Sequence, residues 1–193
     1  STPHNITIES CIDLLDASPS PFHAVAEFGQ RLLDAGATEL SLGDEWNSTS
    51  VDGFHFIRRD GALIAWKTPS TSQAAPDMLL VGAHTDSPCF KLKPSPDIYQ
   101  HGWNQLSVEV YGGILNNSWL DRDLGLAGRV VSAAGETALI RTDAIARIPQ
   151  LAIHLDRGVN DGLRLDPQTH LTPIWGLNEP SRSVVEHLQD ISG

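Results

Sequence analysis

Apolar residues recur at helical spacing near the start of the chain and give way to alternating runs past its middle. Ile8, Ile12 and Leu15 lie three or four positions apart, which predicts a helix over residues 6–16. Ser18-Pro19-Ser20-Pro21 interrupts that pattern. Ser20 can accept a hydrogen bond from the first turn of a new helix, and Pro21 fits the first helical position, where no backbone N–H is needed. Phe22, Val25, Gly29, Leu32 and Leu33 give this second helix a packing face, and Gly36 suits its exit. Residues 54–57 and 63–66 flank Asp60-Gly61, a turn dipeptide compatible with positive φ, so residues 54–67 read as a hairpin. Residues 68–76 form a polar, proline-bearing loop.

Met78-Leu79-Leu80-Val81 is continuously apolar and predicts a buried strand over residues 78–84. Residues 105–155 then change texture. Leu106, Val108 and Val110 alternate with polar residues, Gly112-Gly113, Gly125, Gly128 and Gly135 punctuate later runs, and residues 137–142 and 151–155 read as further strands. Val184, Val185 and Leu188 place one more helical face within residues 179–190. The pattern is that of an α/β beginning followed by a β-rich module, without internal repeats.

Composition narrows the possibilities. A chain of 193 residues can form one sizeable domain or parts of two. The fractions of hydrophobic (40%) and charged residues (19%) are those of a globular protein. No run approaches the roughly 18 apolar residues of a membrane-spanning helix. Ser1-Thr2-Pro3-His4-Asn5 has neither the basic region nor the apolar core of a signal peptide. The formal net charge of −11 argues against nucleic acid and anionic membranes as partners, since no basic cluster exists to displace counterions. Cys11 and Cys89 form no CxxC pair, so buried free thiols in a reducing cytoplasm are expected.

The candidate chemistry lies just after the apolar run. In extended backbone, side chains two residues apart point the same way, so His84 and Asp86 would face one site. A neutral imidazole is a common zinc ligand, and a carboxylate beside it can orient the ring. His154-Leu155-Asp156 repeats the pattern, which shows how little one such tripeptide means alone. Asp121-Arg122-Asp123 offers paired carboxylates that read more simply as a local ion-pair network. His23 reads as structural, and His55, His101, His170 and His187 lack ligand spacing such as HExxH. Ser87 and Ser118 sit in no nucleophile elbow. The five tryptophans are scattered, as core or interface anchors would be.

Several longer segments, in order, resemble the aspartyl aminopeptidases. They are Ser18-Pro19-Ser20-Pro21-Phe22-His23-Ala24-Val25, Gly82-Ala83-His84-Thr85-Asp86-Ser87-Pro88, Tyr111-Gly112-Gly113, Trp119-Leu120-Asp121-Arg122-Asp123-Leu124, Leu151-Ala152-Ile153-His154-Leu155-Asp156-Arg157 and His170-Leu171-Thr172-Pro173-Ile174. The resemblance implies a dinuclear zinc metallopeptidase, with cobalt or manganese as alternatives, that removes aspartate or glutamate from peptide N-termini. It implies an α/β fold in which residues 1–90 begin the catalytic domain and residues 91–193 form most of an inserted, β-rich dimerisation domain. It also implies homo-oligomers, as tetrahedral dodecamers built from dimers. By position, His84 would bind one zinc, Asp86 would stand behind the metal site, and His154 would reach the substrate site of a neighbouring subunit.

The family's adjacent glutamate pair, which serves as base and ligand, has no counterpart, because no Glu-Glu occurs in this sequence. The bridging aspartate, another acidic ligand and a final histidine also fall later in the family pattern. Weak metal binding and no catalysis are therefore expected of this chain alone. A second polypeptide carrying the C-terminal half is the expected partner, with a break after Gly193 in an exposed loop. Two other readings stand beside this one: a non-catalytic assembly or regulatory protein built on the β-rich module, and a related dinuclear metallohydrolase of different specificity.

Overall fold

The computed structural model describes residues 7–47, 52–68, 78–178 and 182–192. They belong to two compact units, Ser1–Asp86 and Ser87–Gly193. The fold is mixed α/β, as the hydrophobic pattern predicts. Residues 1–6 and all but Thr68 of the expected loop 68–76 lie outside the described residues.

In the first unit, Thr7 and Ser10 exchange side-chain and backbone hydrogen bonds of 3.1 Å and so cap helix α1 (Ile8–Ala17). Its expected apolar face stays exposed at Ile8, Ile12 and Leu15. Cys11 is also exposed, because α1 buries none of its residues within this unit; the expected buried thiol is not found there. Ser20 caps helix α2 (Pro21–Asp34) by accepting from the His23 amide at 3.3 Å, with Pro21 in the first turn. Ala24, Val25 and Gly29 form its buried face, and Gly36 leaves the helix at φ 85°.

Strand β1 (Thr38–Glu39) pairs in parallel with β2 (Phe54–Arg59), which pairs antiparallel with β3 (Ala62–Lys67). The β2–β3 turn is the expected Asp60-Gly61, but Asp60 takes the left-handed conformation, at φ 53°. Phe56 is fully buried, and Arg58 grips Glu39 with two bonds of 2.7 and 2.9 Å.

The expected strand over residues 78–84 does not form. Residues 78–88 have no regular secondary structure, and Met78-Leu79-Leu80-Val81 are 83–90% exposed. A buried strand needs flanking strands to satisfy its N–H and C=O groups. Among the described residues, none pairs with this run.

The second unit is built on β4 (Cys89–Gln100), β5 (Trp103–Tyr111) and β8 (Ile174–Leu177), paired antiparallel in that order. His101 and Gly102 close the β4–β5 hairpin, both at positive φ. Pro94 and Pro96 lie where the β4–β5 register shifts, between Leu92 and Asp97. Proline has no N–H to give to a ladder, so the irregularity falls where the sequence makes regular pairing impossible. β6 (Ala127–Val131) and β7 (Thr137–Arg141) form a separate hairpin, and Asn116–Trp119 form a short 3-10 turn.

Leu106, Ala146 and Val184 centre one core, against which Leu92, Val108 and Trp175 pack. Leu120, Ile148 and Leu171 centre another, joined by Phe90 and Val110, with Phe90 and Trp119 in edge-to-face contact at 4.9 Å. Helix α3 (Val184–Ser192) begins in a capping box, Ser183 with Glu186. Asp97 on β4 also accepts from the Val184 amide at 2.9 Å, so a carboxylate 87 residues away holds that helix start.

Residues 151–155 are not the expected strand. They end in a turn in which Leu155 and Asp156 both donate to the Ala152 carbonyl, and Leu151, Ile153 and Leu155 are exposed. The apolar alternation there is real, but no neighbouring strand among the described residues covers it.

Candidate metal-ligating site

His84, Thr85 and Asp86 form a bend in the irregular segment that closes the first unit. His84 Nδ1 lies 2.7 Å from the Asp86 carbonyl oxygen and 3.2 Å from Asp86 Oδ1. Both of those atoms can only accept when the carboxylate is ionised, so Nδ1 must carry the proton. That fixes the tautomer of the neutral ring and leaves the Nε2 lone pair for another partner. The His84 side chain is 80% exposed, so Nε2 is open to one. A histidine whose second nitrogen is fixed by a carbonyl or carboxylate is the usual form of a metal-ligating imidazole. The structure thus brings His84 and Asp86 together, though through a bend and not along a strand.

The segment is tied to the body of the unit through Thr85, whose hydroxyl donates to the Gly61 carbonyl at 2.6 Å. Gly61 in turn lies against Pro21 at the start of α2; a methyl group in its place would meet Pro21 Cβ at 3.2 Å. Thr85 carries no recognisable signal in the sequence, since its partner is 24 residues away.

The donor set fits one zinc ligand and not a closed site. Among the described residues, no group of three or more His, Cys, Asp or Glu side chains is placed to hold a metal. Zinc ordinarily takes three or four protein ligands.

His154 lies elsewhere. It sits in the exposed 151–155 turn of the second unit. The acidic pair at 121–123 is also accounted for without catalysis. Asp121, at φ 54°, accepts from the Gln150 amide at 3.2 Å, and Asp123 pairs with Arg147. That bond raises the Arg147 guanidinium further above its ordinary range. His23 Nδ1 bonds Ser20 Oγ at 2.7 Å, and His170 Nδ1 accepts from the Asp166 amide at 2.9 Å, both local structural roles.

A profile of the family described as Aminopeptidase I zinc metalloprotease (M18) matches residues 14–191. The chain belongs to the M18 family. Among its M18 relatives, a Streptomyces avermitilis protein named Probable M18 family aminopeptidase 2 is 53% identical over 171 residues, covering 88% of this chain and 39% of the relative. A chain in the cryo-EM structure of the Ape4 and Nbr1 complex superposes with a TM-score of 0.83 at 31% identity, covering 95% of this chain and 40% of that one. The mApe1 dodecamer of S. cerevisiae superposes with a TM-score of 0.69 at 22% identity, over 96% of this chain and 44% of that one, which is a likeness of fold. This M18 chain spans about two fifths of the length of the curated relatives it matches (39% and 43% for two Streptomyces proteins). No helix among the described residues is long and apolar enough to cross a membrane.

Proposed function

We propose that this chain supplies part of the active site of a zinc-dependent aminopeptidase that releases aspartate or glutamate from peptide N-termini. The observation that carries the reading is the fixed imidazole: His84 commits Nδ1 to Asp86 and keeps Nε2 for a metal. Membership of a zinc metalloprotease family and the name of its Streptomyces relative support it.

Bound zinc, two ions in the complete enzyme, supplies positive charge that polarises the scissile carbonyl and brings water ionisation toward neutral pH. His84 lends one ligand, and Asp86 holds the ring's tautomer and direction. Cobalt and manganese are alternative metals. The remaining ligands and the general base come from the part of the M18 enzymes that this sequence does not span. Residues 1–90 belong to the catalytic domain, and residues 91–193 to the dimerisation domain. The protein is a cytoplasmic homo-oligomer, a dodecamer built from dimers, and His154 projects toward the substrate of a neighbouring subunit. The dodecameric yeast fold relative supports that assembly.

An intact-mass spectrum of the purified protein under denaturing conditions comes first. Residues bearing the missing ligands, in the same or a second polypeptide, are the expected result; their absence would refute the reading. Metal analysis and assays on peptides beginning with Asp, Glu, Ala or Leu then test the chemistry. Preference for Asp and Glu is expected. Equal turnover of Leu peptides would overturn the acidic specificity, and absence of both metal and hydrolysis would favour an assembly role.

A further inference from the structure

We propose that Thr85 is the positioning residue of the His84–Asp86 pair: its hydroxyl bond to Gly61 sets the bend that aims the imidazole. The inference rests on the metal-ligand reading of His84.

Residues 78–88 lack regular secondary structure, and the apolar run preceding His84 is almost fully exposed. A ligand on such a segment keeps its direction only if something fixes the backbone beside it. Thr85 lies between the two functional residues and makes a 2.6 Å bond across 24 positions of sequence. Its acceptor is well held. Gly61 closes the β2–β3 hairpin, beside Asp60 at φ 53°, and packs on Pro21 at the first turn of α2. Thr85 is thus linked through the hairpin turn to the start of α2. The bend at Thr85 brings the Asp86 carbonyl to 2.7 Å from His84 Nδ1. Without the anchor, residues 84–86 can extend, and the two-residue closure of His84 on Asp86 is no longer imposed.

Nitrogen NMR of the His84 ring in the metal-free chain tests this, with wild type, Thr85→Val and Thr85→Ser compared after circular dichroism has checked their folding. The expected result is one Nδ1–H tautomer in wild type, a tautomer mixture in Thr85→Val, and recovery of the wild-type signature in Thr85→Ser. Zinc affinity of the complete protein should fall about tenfold in Thr85→Val and return in Thr85→Ser. An unchanged tautomer and unchanged affinity in Thr85→Val would overturn the proposal. If Thr85→Val does not fold, the Thr85 hydroxyl proton decides: slow solvent exchange in wild type supports the anchor, and free exchange overturns it. The tautomer is read without metal. A protein that binds no zinc yet shows the expected NMR pattern therefore sinks the metal reading and leaves the anchor standing.

Discussion

Asp123 pairs with Arg147, twenty-four residues further along the chain, while its neighbour Arg122 reaches the Ser118 carbonyl at 3.5 Å. The pair links the loop after the 3-10 turn to the segment that bridges β8, because Arg147 also exchanges backbone bonds with Ile174. Both side chains are more than half exposed, so solvent weakens their attraction. Asp123→Ala should leave the urea-unfolding midpoint close to that of wild type. A catalytic carboxylate would behave otherwise: activity of the complete enzyme would collapse while stability held.

His84→Ala should remove one metal equivalent from the assembled enzyme and nearly all activity, with assembly unchanged by sedimentation. Asp86→Asn keeps the size of the side chain but removes the ionised acceptor beside Nδ1. Zinc affinity should fall about 10- to 100-fold, the usual effect of altering a ligand's own support, while folding is preserved. Wild-type metal content in His84→Ala would end the ligand assignment.

The turn at 166–170 depends on pH. Asp166 Oδ1 accepts from the Thr169 hydroxyl at 2.8 Å and from the Thr169 and Gln168 amides at 2.9 Å each. These bonds, the Thr169 hydroxyl first, lower its pKa below the ordinary 3.8. A lowered folded-state value means the carboxylate stabilises the turn above pH 3.8, and that contribution is lost as pH falls through the lower folded value. Amide exchange at residues 168–170 should accelerate in that acid window. Asp166→Ala should abolish the pH dependence of protection, leaving these amides near their intrinsic exchange rate at every pH.

Gly176 faces Asn104 across β8 and β5, and a methyl group there would meet Asn104 Nδ2 at 2.9 Å. Asn104 is buried and Gly176 partly so, which leaves little room to yield. Gly176→Ala should therefore cost about 1–3 kcal/mol, as overpacking does. An unchanged melting temperature would show that Asn104 rotates away freely.

Mixed oligomers test His154. A His154→Ala subunit should impair the site of a neighbour whose own His154 is intact. Mixed with inactive His84→Ala subunits, His154→Ala subunits should regain activity by borrowing the intact His154 of their neighbours; no recovery would remove His154 from the neighbour's site.

Much of this fold can be read locally. Ser20-Pro21 starts α2 and Asp60-Gly61 turns β2 into β3 because a cap and a turn are satisfied within a few residues. The two apolar runs at 78–81 and 151–155 mislead for one shared reason: their pattern states a preference for burial, and burial depends on segments that must pair with them. The length of β4 is hidden by Pro94 and Pro96, which argue against a strand until a register shift accommodates them. His84 and Asp86 are legible as a pair, since two positions separate them. Thr85–Gly61 and Asp97–Val184 are not, since nothing local announces a partner 24 or 87 residues away.

The prolines of β4 have a consequence beyond their own ladder. β4 is a terminal strand of its sheet, and a fibre grows by adding chains to an uninterrupted row of edge donors. Pro94 and Pro96 break the regular run of that strand between Leu92 and Asp97, and Lys91 and Lys93 set positive charges beside the break. The break in the strand and the charges beside it oppose templated growth along this side of the sheet.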